Sequence, residues 1–297
     1  MSSTVLLHSI GFGITTAAVI AIGAMGFTLQ LGVTNVLNIS YGNVMTIGAF
    51  ASLIVERQHL GLVATILAAP LAGAIVTWVL ARTLFATFAR RQGGAFDLLM
   101  VTLAVGLIIQ YGIDALAHLQ VFQFSFPSGA TLNVGPFVFT VLSLALIGAA
   151  ALVFAALTAA LHLTRMGKAL RALSVDPKLA RACGVPMRRL IDLTWLLSGA
   201  LAGLAGLVYV SNSLTVSAGS GLDFLVLVIA ASILGGAGSP AGAVIAALVV
   251  GIASEVVAAA GGSYYSNAAG LAILVLVLVL RPAARTWVGA NRDEVTV

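Results

Sequence analysis

The sequence predicts an all-α integral membrane protein, a polytopic helical bundle of about 8–10 transmembrane helices, some of them short or discontinuous. Three observations predict it. Of the 297 residues, 61% are apolar and only 8% are Asp, Glu, Lys or Arg, against about 25% charge in a typical soluble domain. The charges are also segregated: none precedes Glu56, and charge-free runs cover 58–81, 98–113, 115–164, 193–222, 224–254 and 256–280. A crossing helix needs about 20 mainly apolar residues, so most runs hold one crossing and the longest hold two. The runs are Ala, Leu, Val, Ile and Gly without strict alternation, which favours helices over an outer-membrane barrel. The same composition excludes a disordered chain. The net charge of +5 sits on almost no polar surface, so it points to no nucleic acid.

The first expected crossing, 5–28, lacks a basic leader and is too long for a signal h-region, so it reads as an uncleaved membrane helix. Further crossings fall at 40–55, 60–81, 97–117, 137–162, 190–211, 223–235, 241–258 and 266–280. Two of these, 40–55 and 223–235, are short, and each touches a Gly- or Asn-rich interruption, 30–43 and 235–242. Short interrupted segments in both halves point toward discontinuous helices around a transport site. Ordinary tilted helices with permissive loops are the alternative. The whole chain, 1–297, reads as one transmembrane domain.

Basic residues set the orientation. Arg82, Arg90 and Arg91 share one loop; Arg165, Lys168, Arg171, Lys178, Arg181, Arg188 and Arg189 share another; Arg281, Arg285 and Arg292 lie in the tail. Two and then four expected crossings separate these clusters, so they share a side, which is cytoplasmic by the positive-inside rule. The end of the chain is then cytoplasmic, while the side of its start depends on whether 30–45 re-enters the membrane. Burying the loop 164–189 in lipid would cost about 20 kcal/mol at roughly 3 kcal/mol per basic residue. Within it, Asp176 and Pro177 read as N-cap and first residue of a helix over 177–183, with Gly184 as its stop. A helical stretch over 167–173 precedes it. Such a loop has little core of its own and needs a partner surface, either another protein or lipid headgroups.

Small residues concentrate where helices should meet. Gly199, Gly203 and Gly206 form a GxxxG-type face after Ser198, and Gly235, Gly236, Gly238 and Gly242 flank Ser239-Pro240; helix packing is their expected role. Catalytic and cofactor chemistry is missing from the pattern. Gly167-Lys168 lacks the rest of a phosphate-binding loop, and neither G-x-S-x-G nor H-E-x-x-H occurs. His8, His59, His118 and His162 lack metal-ligand spacing, and the lone Cys183 excludes an internal disulfide. No catalytic residue, cofactor or metal is therefore expected. Carboxylates are absent from the centres of the apolar runs, which weakens an ion-coupled carrier that works alone. The polar residues in apolar context are neutral: Gln30, Asn35, Asn38, Ser40, Tyr41, Asn43 and Gln110. Buried amides and hydroxyls need partners or water, so the cluster 30–43 either lines a path for a water-soluble permeant or glues helices together.

These residues carry a family resemblance. The segment 26-GFTLQLGVTNVLNISYGNVMTIGAF-50 resembles the first signature of branched-chain amino acid ABC transporter permeases of the LivH type, at Asn38, Ser40, Tyr41 and Gly42. The segment 164-TRMGKALRALSVDPKLARACGV-185 resembles that family's coupling loop, matched at Gly167, Ala169, Arg171, Asp176, Ala180 and Gly184. Two further blocks, 194-TWLLSGALAGLAG-206 and 233-ILGGAGSPAGAVIAALVVG-251, follow in the family order, so the resemblance spans about residues 26–281. One departure is Tyr41, where the family commonly has His. The resemblance implies a multi-pass permease subunit of a bacterial inner-membrane ABC importer. It implies partners as well: a second permease of the LivM type, two cytoplasmic ATP-binding subunits and a periplasmic substrate-binding protein. Gln30, Asn35, Asn38, Ser40, Tyr41 and Gly42 would border the translocation path. Gly167, Lys168, Arg171, Asp176, Arg181 and Gly184 would belong to the loop that docks on an ATPase. Related permeases carry urea, short amides, aromatic acids, other amino acids or, in the ribose type, sugars.

Overall fold

The chain folds around one long helix whose stretch from Ala17 to Leu31 is buried in the protein interior. In the computed structural model, which describes residues 3–90, 95–118, 120–123, 131–134, 137–262, 268, 270–273 and 275–276, α1 (Ser3–Thr34) ends beside the basic loop. The chain then doubles back through an extended segment, 35–40, and α2 (Tyr41–Arg57) begins only beside the middle of α1. There the Tyr41 hydroxyl donates to the Gly23 carbonyl at 2.9 Å, and its ring meets Phe27 edge-on with centroids 5.3 Å apart. α2 continues to the far end, and α3 (Leu62–Leu80) returns, prolonged by a π-helical segment Ala81–Phe85 and by α4 (Ala86–Arg90). α5 (Ala95–Ala117) crosses again, followed by β1 (Phe122–Gln123), the hairpin β2–β3 (Thr131–Val134 and Phe137–Thr140, with Thr131 opposite Thr140) and α6 (Val141–Leu163).

At the basic end lie α7 (Arg165–Val175) and α8 (Pro177–Ala182). α9 (Met187–Ser213) crosses to the far end, where β4 (Thr215–Val216) pairs antiparallel with β1. α10 (Ser220–Gly235) and α11 (Pro240–Gly261) follow, and residues 268, 270–273 and 275–276 beyond them are helical. Among the described residues, six helical spans are long and apolar enough to cross a membrane: Ser9–Thr34, Leu62–Phe88, Phe96–Ala117, Val141–Leu163, Met187–Ser213 and Pro240–Ala260. α2 and α10 are the two short helices the sequence anticipates at 40–55 and 223–235. Most of the expected crossing 266–280 lies outside the described residues, as do Arg91, Arg281, Arg285 and Arg292.

Two triplets of helices repeat one arrangement in opposite directions. In each, a long helix, an extended connection, a short helix and a long helix follow in order: α1–α2–α3 and α9–α10–α11. The contacts obey the exchange: α1 lies along α11 as α9 lies along α3, α2 touches α9 as α10 touches α1, and α2 and α10 touch each other. Small residues make the close approaches. Gly251 meets Ala17 at the α1–α11 crossing, while Gly203 meets Ala69 at the α3–α9 crossing. This is the inverted-repeat plan in which short, interrupted helices begin near the bilayer midplane. The principal core fills the centre of it, with Ile20, Ile22, Met25 and Phe27 of α1 packed with Ala205, Phe224 and Val228. Outer faces of α3, α5 and α6 expose Val63, Leu71, Ile75, Ile108 and Leu152. In a membrane helix such residues face lipid or another apolar surface.

The sequence places the interruption of the short second-half helix at 235–242. The structure puts a tight turn there, with Gly236 and Gly238 at φ +91 and +79, tied to α1 by Gly238 N–H donating to the Thr28 carbonyl at 3.0 Å. The extended entry that makes α10 begin deep in the bundle is 214–219 instead. Its Leu-Thr-Val-Ser residues carry no Gly or Pro signal until Gly219, so polarity and turn chemistry leave it silent.

Candidate functional site

The meeting point of the two short helices gathers the polar residues. Segment 35–40 is non-helical backbone at membrane depth, tolerated only where its polar groups find partners. α5 supplies one: the Thr102 hydroxyl accepts from Ile39 N–H at 3.3 Å and lies 3.4 Å from the Leu37 carbonyl. Asn38 and Ser40 are buried together, the Ser40 hydroxyl donating to Asn38 Oδ1 at 2.6 Å. Gly42 abuts Gly221, and Thr46 Oγ1 accepts from Gly221 N–H at 3.1 Å, joining α2 to the first turn of α10. Asn43 is fully buried with no protein partner on either amide atom, and its Nδ2 faces Gly106 of α5. Gln110, one turn beyond Gly106, brings its amide beside Gly219 at the entry to α10.

The sequence-predicted path residues divide into three settings. Asn38, Ser40 and Gly42 stand at this junction. Gln30 and Tyr41 instead face the α1–α9 contact: Gln30 Oε1 accepts from Ser198 Oγ at 2.9 Å, and the Tyr41 hydroxyl covers Gly26, where no Cβ would fit. Asn35 is exposed and caps α1 in the left-handed region at φ +53, a conformation Asn tolerates. Thr46, Thr102, Gly106 and Gly221 complete the junction and escape sequence reasoning, because single hydroxyls and glycines in apolar runs are indistinguishable from packing residues.

The basic loop forms a second candidate site. Thr164 stops α6 and starts α7 with one side chain, donating to the Ala160 carbonyl at 2.6 Å and accepting from Gly167 N–H at 3.0 Å. Gly167 is buried against the last turn of α6, where a Cβ would meet the Ala160 carbonyl. Asp176 Oδ1 accepts from Leu179 N–H at 3.0 Å, the expected N-cap. α8 ends as expected at Gly184, whose φ is +77, with Gly184 N–H donating to Arg181 and Val185 N–H to Ala180, the Schellman pair. Leu170, Leu173 and Ala180 anchor the loop in the main core. Lys168, Arg171 and Arg181 remain exposed, with Arg171 Nη1 lying 3.2 Å from His162 Nδ1. Beside them Met166 and Leu179 are exposed apolar side chains on a charged surface, a feature the charge pattern alone does not reveal.

Of the expected packing glycines, Gly199 meets Gly73 and Thr77, Gly203 meets Ala69, Gly206 meets Met45, and Gly235 and Gly242 meet each other. Gly238 approaches Gly32, whereas Gly236 touches nothing where a Cβ would stand and serves the turn through its φ. Among the described residues, no three His, Cys, Asp or Glu side chains cluster as metal ligands.

Residues 9–280 match the family described as branched-chain amino acid transport system / permease component. The chain is 27% identical over 287 residues to the high-affinity branched-chain amino acid transport system permease protein LivH of Escherichia coli, covering 91% of this chain and 92% of that one. It is 29% identical over 275 residues to the ribose import permease protein RbsC of Escherichia coli, covering 88% of this chain and 81% of RbsC. Among solved structures, PsaBC from Streptococcus pneumoniae in complex with Fab shares the fold at a TM-score of 0.52 and 13% identity, over 96% of both chains.

Proposed function

The chain belongs to the branched-chain amino acid transport system permease family, and on that premise we propose that it is the membrane-spanning subunit of a bacterial ABC importer for branched-chain or related amino acids. As a multi-pass permease component it works with further subunits: a second permease of the LivM type, two cytoplasmic ATPases and a periplasmic substrate-binding protein. ATP hydrolysis belongs to those partners, since the chain has no phosphate-binding loop of its own. The basic side, with the tail residues Arg281, Arg285 and Arg292, is the cytoplasmic one.

The loop α7–α8 carries this reading. It is held rigidly on the bundle by Leu170, Leu173 and Ala180, yet it presents Met166, Leu179, Lys168, Arg171 and Arg181 outward. A rigid surface of mixed apolar and basic character, anchored at α6 and α9, suits a protein partner that must push on the membrane helices. Reversing Arg171 and Arg181 to Glu tests it. Uptake of radiolabelled leucine by cells expressing the whole importer should fall at least tenfold, and the ATPases should no longer co-purify, while the purified permease keeps its thermal midpoint. Unchanged uptake and co-purification would remove the coupling role.

A second reading rests on the similarity to RbsC, which makes a ribose-type sugar the alternative cargo. Competition of leucine uptake by excess ribose separates the two.

A further inference from the structure

Amides buried in a membrane bundle are hydrogen-bonded, because nothing else there solvates them. Asn43 breaks that rule completely: the residue is 0% exposed and neither Oδ1 nor Nδ2 has a protein partner. It lies in the first turn of α2, whose N-cap residue Ser40 makes no side-chain cap bond. The Ser40 hydroxyl is committed to Asn38 instead. The positive end of a 17-residue helix therefore has no side-chain cap, only Tyr41 N–H donating to the Asn38 carbonyl at 3.3 Å, and it lies beside the two unpartnered N–H donors of the Asn43 amide. Its level is set by Tyr41, which bonds Gly23 near the middle of the Ser9–Thr34 span.

One wall of this spot is α5. Thr102, Gly106 and Gln110 follow at four-residue spacing and form one stripe. Thr102 holds the extended segment, Gly106 leaves room for the Asn43 amide, and Gln110 reaches Gly219. α5 carries no Asp, Glu, Lys, Arg or His between Asp97 and Asp114. α5 touches α2 and α4, and its Leu98 packs with Phe85 and Trp195 in a cluster separate from the core around α1, so its displacement need not open that core.

We propose that the uncapped first turn of α2, together with the Asn43 amide, is a midplane subsite for the carboxylate of the transported solute, exposed when α5 moves aside. This rests on the reading of the chain as a permease and narrows its cargo. Helix N-terminal N–H groups and a primary amide favour a carboxylate, whereas a sugar hydroxyl or an amine gains nothing from the positive helix end.

The test uses the whole importer in cells. Asn43→Asp keeps the side-chain shape and suits a helix N-terminus, but it fills the subsite with a carboxylate of its own. Leucine uptake should fall at least tenfold, mainly through a raised KM; a KM within twofold of wild type overturns the proposal. Should the wild-type importer take up no leucine, the cargo reading fails and the subsite is judged by thiol chemistry. In a Cys183→Ser background, Asn43→Cys should react with anionic sulfonatoethyl methanethiosulfonate at least tenfold faster than Ser232→Cys, a buried position bonded to Ala24. It should also react faster with that reagent than with the cationic aminoethyl analogue. No reaction, or preference for the cationic reagent, overturns it.

Discussion

Gly42 and Gly221 stand face to face where α2 and α10 begin, and a Cβ on either would run into the carbonyl of the other. The contact is reciprocal because the two residues occupy equivalent places in the inverted triplets. It brings two helix N-termini together inside the bundle, and Thr46 ties them by accepting from Gly221 N–H. Nothing larger than hydrogen can separate them without moving one short helix.

Gly221→Ala should therefore cost stability although Ala is the better helix former. Overpacking of this kind costs about 1–3 kcal/mol. Gly148→Ala, where a Cβ meets nothing within 4 Å, should instead be neutral or gain about 0.5–1 kcal/mol. Thermal unfolding of the two purified variants in one detergent checks the contrast. Equal midpoints would show that the α2–α10 junction yields freely.

Thr164 joins α6 to α7 through both of its hydrogen bonds, and Gly167 lets the elbow close. Thr164→Ala should cost about 1–2 kcal/mol of local stability, the value of a lost N-cap. Gly167→Ala should do more, because the Ala160 carbonyl cannot retreat. Limited proteolysis of the loop 164–189 reads both. Cleavage should rise for Thr164→Ala and rise further for Gly167→Ala, with the membrane helices left intact.

Much of this architecture is written in the chain, and the reason is physical. Water-excluded helices must be long and apolar, so their positions follow from charge-free runs, and α8 follows from Asp176, Pro177 and Gly184. The shortness of α2 and α10 is legible as well. The depth at which they start is not, since it depends on Gly42 meeting Gly221 across about 180 residues of chain. The polar cluster 30–43 was visible as a set, yet its division was not. Whether Gln30 faces Ser198 and Asn43 faces Gly106 is decided by which helix packs on each face, and α5 and α9 lie far away in sequence.

Arg82 and Asp192 link the π-helical segment to the first turns of α9, with Nη2–Oδ2 at 2.6 Å and Nε–Oδ1 at 3.5 Å. The Arg82 guanidinium also lies 4.6 Å from the centre of the Trp78 ring. The side chains are 56% and 29% exposed, so solvent screens the pair. A double-mutant cycle with Arg82→Gln and Asp192→Asn should give only the weak coupling of an exposed ion pair. That coupling should shrink as salt is raised toward 1 M. A strong coupling would mean that the pair is dry in the assembled transporter.

At the far end, Phe122 carries three contacts on a two-residue strand. Its ring meets Phe50 edge-on at 5.8 Å, the Arg57 guanidinium lies 4.8 Å above it, and its backbone pairs with Val216. The strand is too short to hold by backbone bonds alone, so the ring is what clasps the α5–α6 connection to the entry of α10. Arg57→Gln removes one exposed cation–π contact worth about 0.5–1 kcal/mol and should leave amide exchange at Thr215 and Val216 nearly unchanged. Phe122→Ala removes the Phe50 and Arg57 contacts together with the packing of the ring against the cluster that holds Ala49, Leu53 and Val216. Exchange at those amides should then accelerate at least tenfold while the core amides of α1 stay protected. If Arg57→Gln released the strand as fully as Phe122→Ala, the charge rather than the ring would be the clasp.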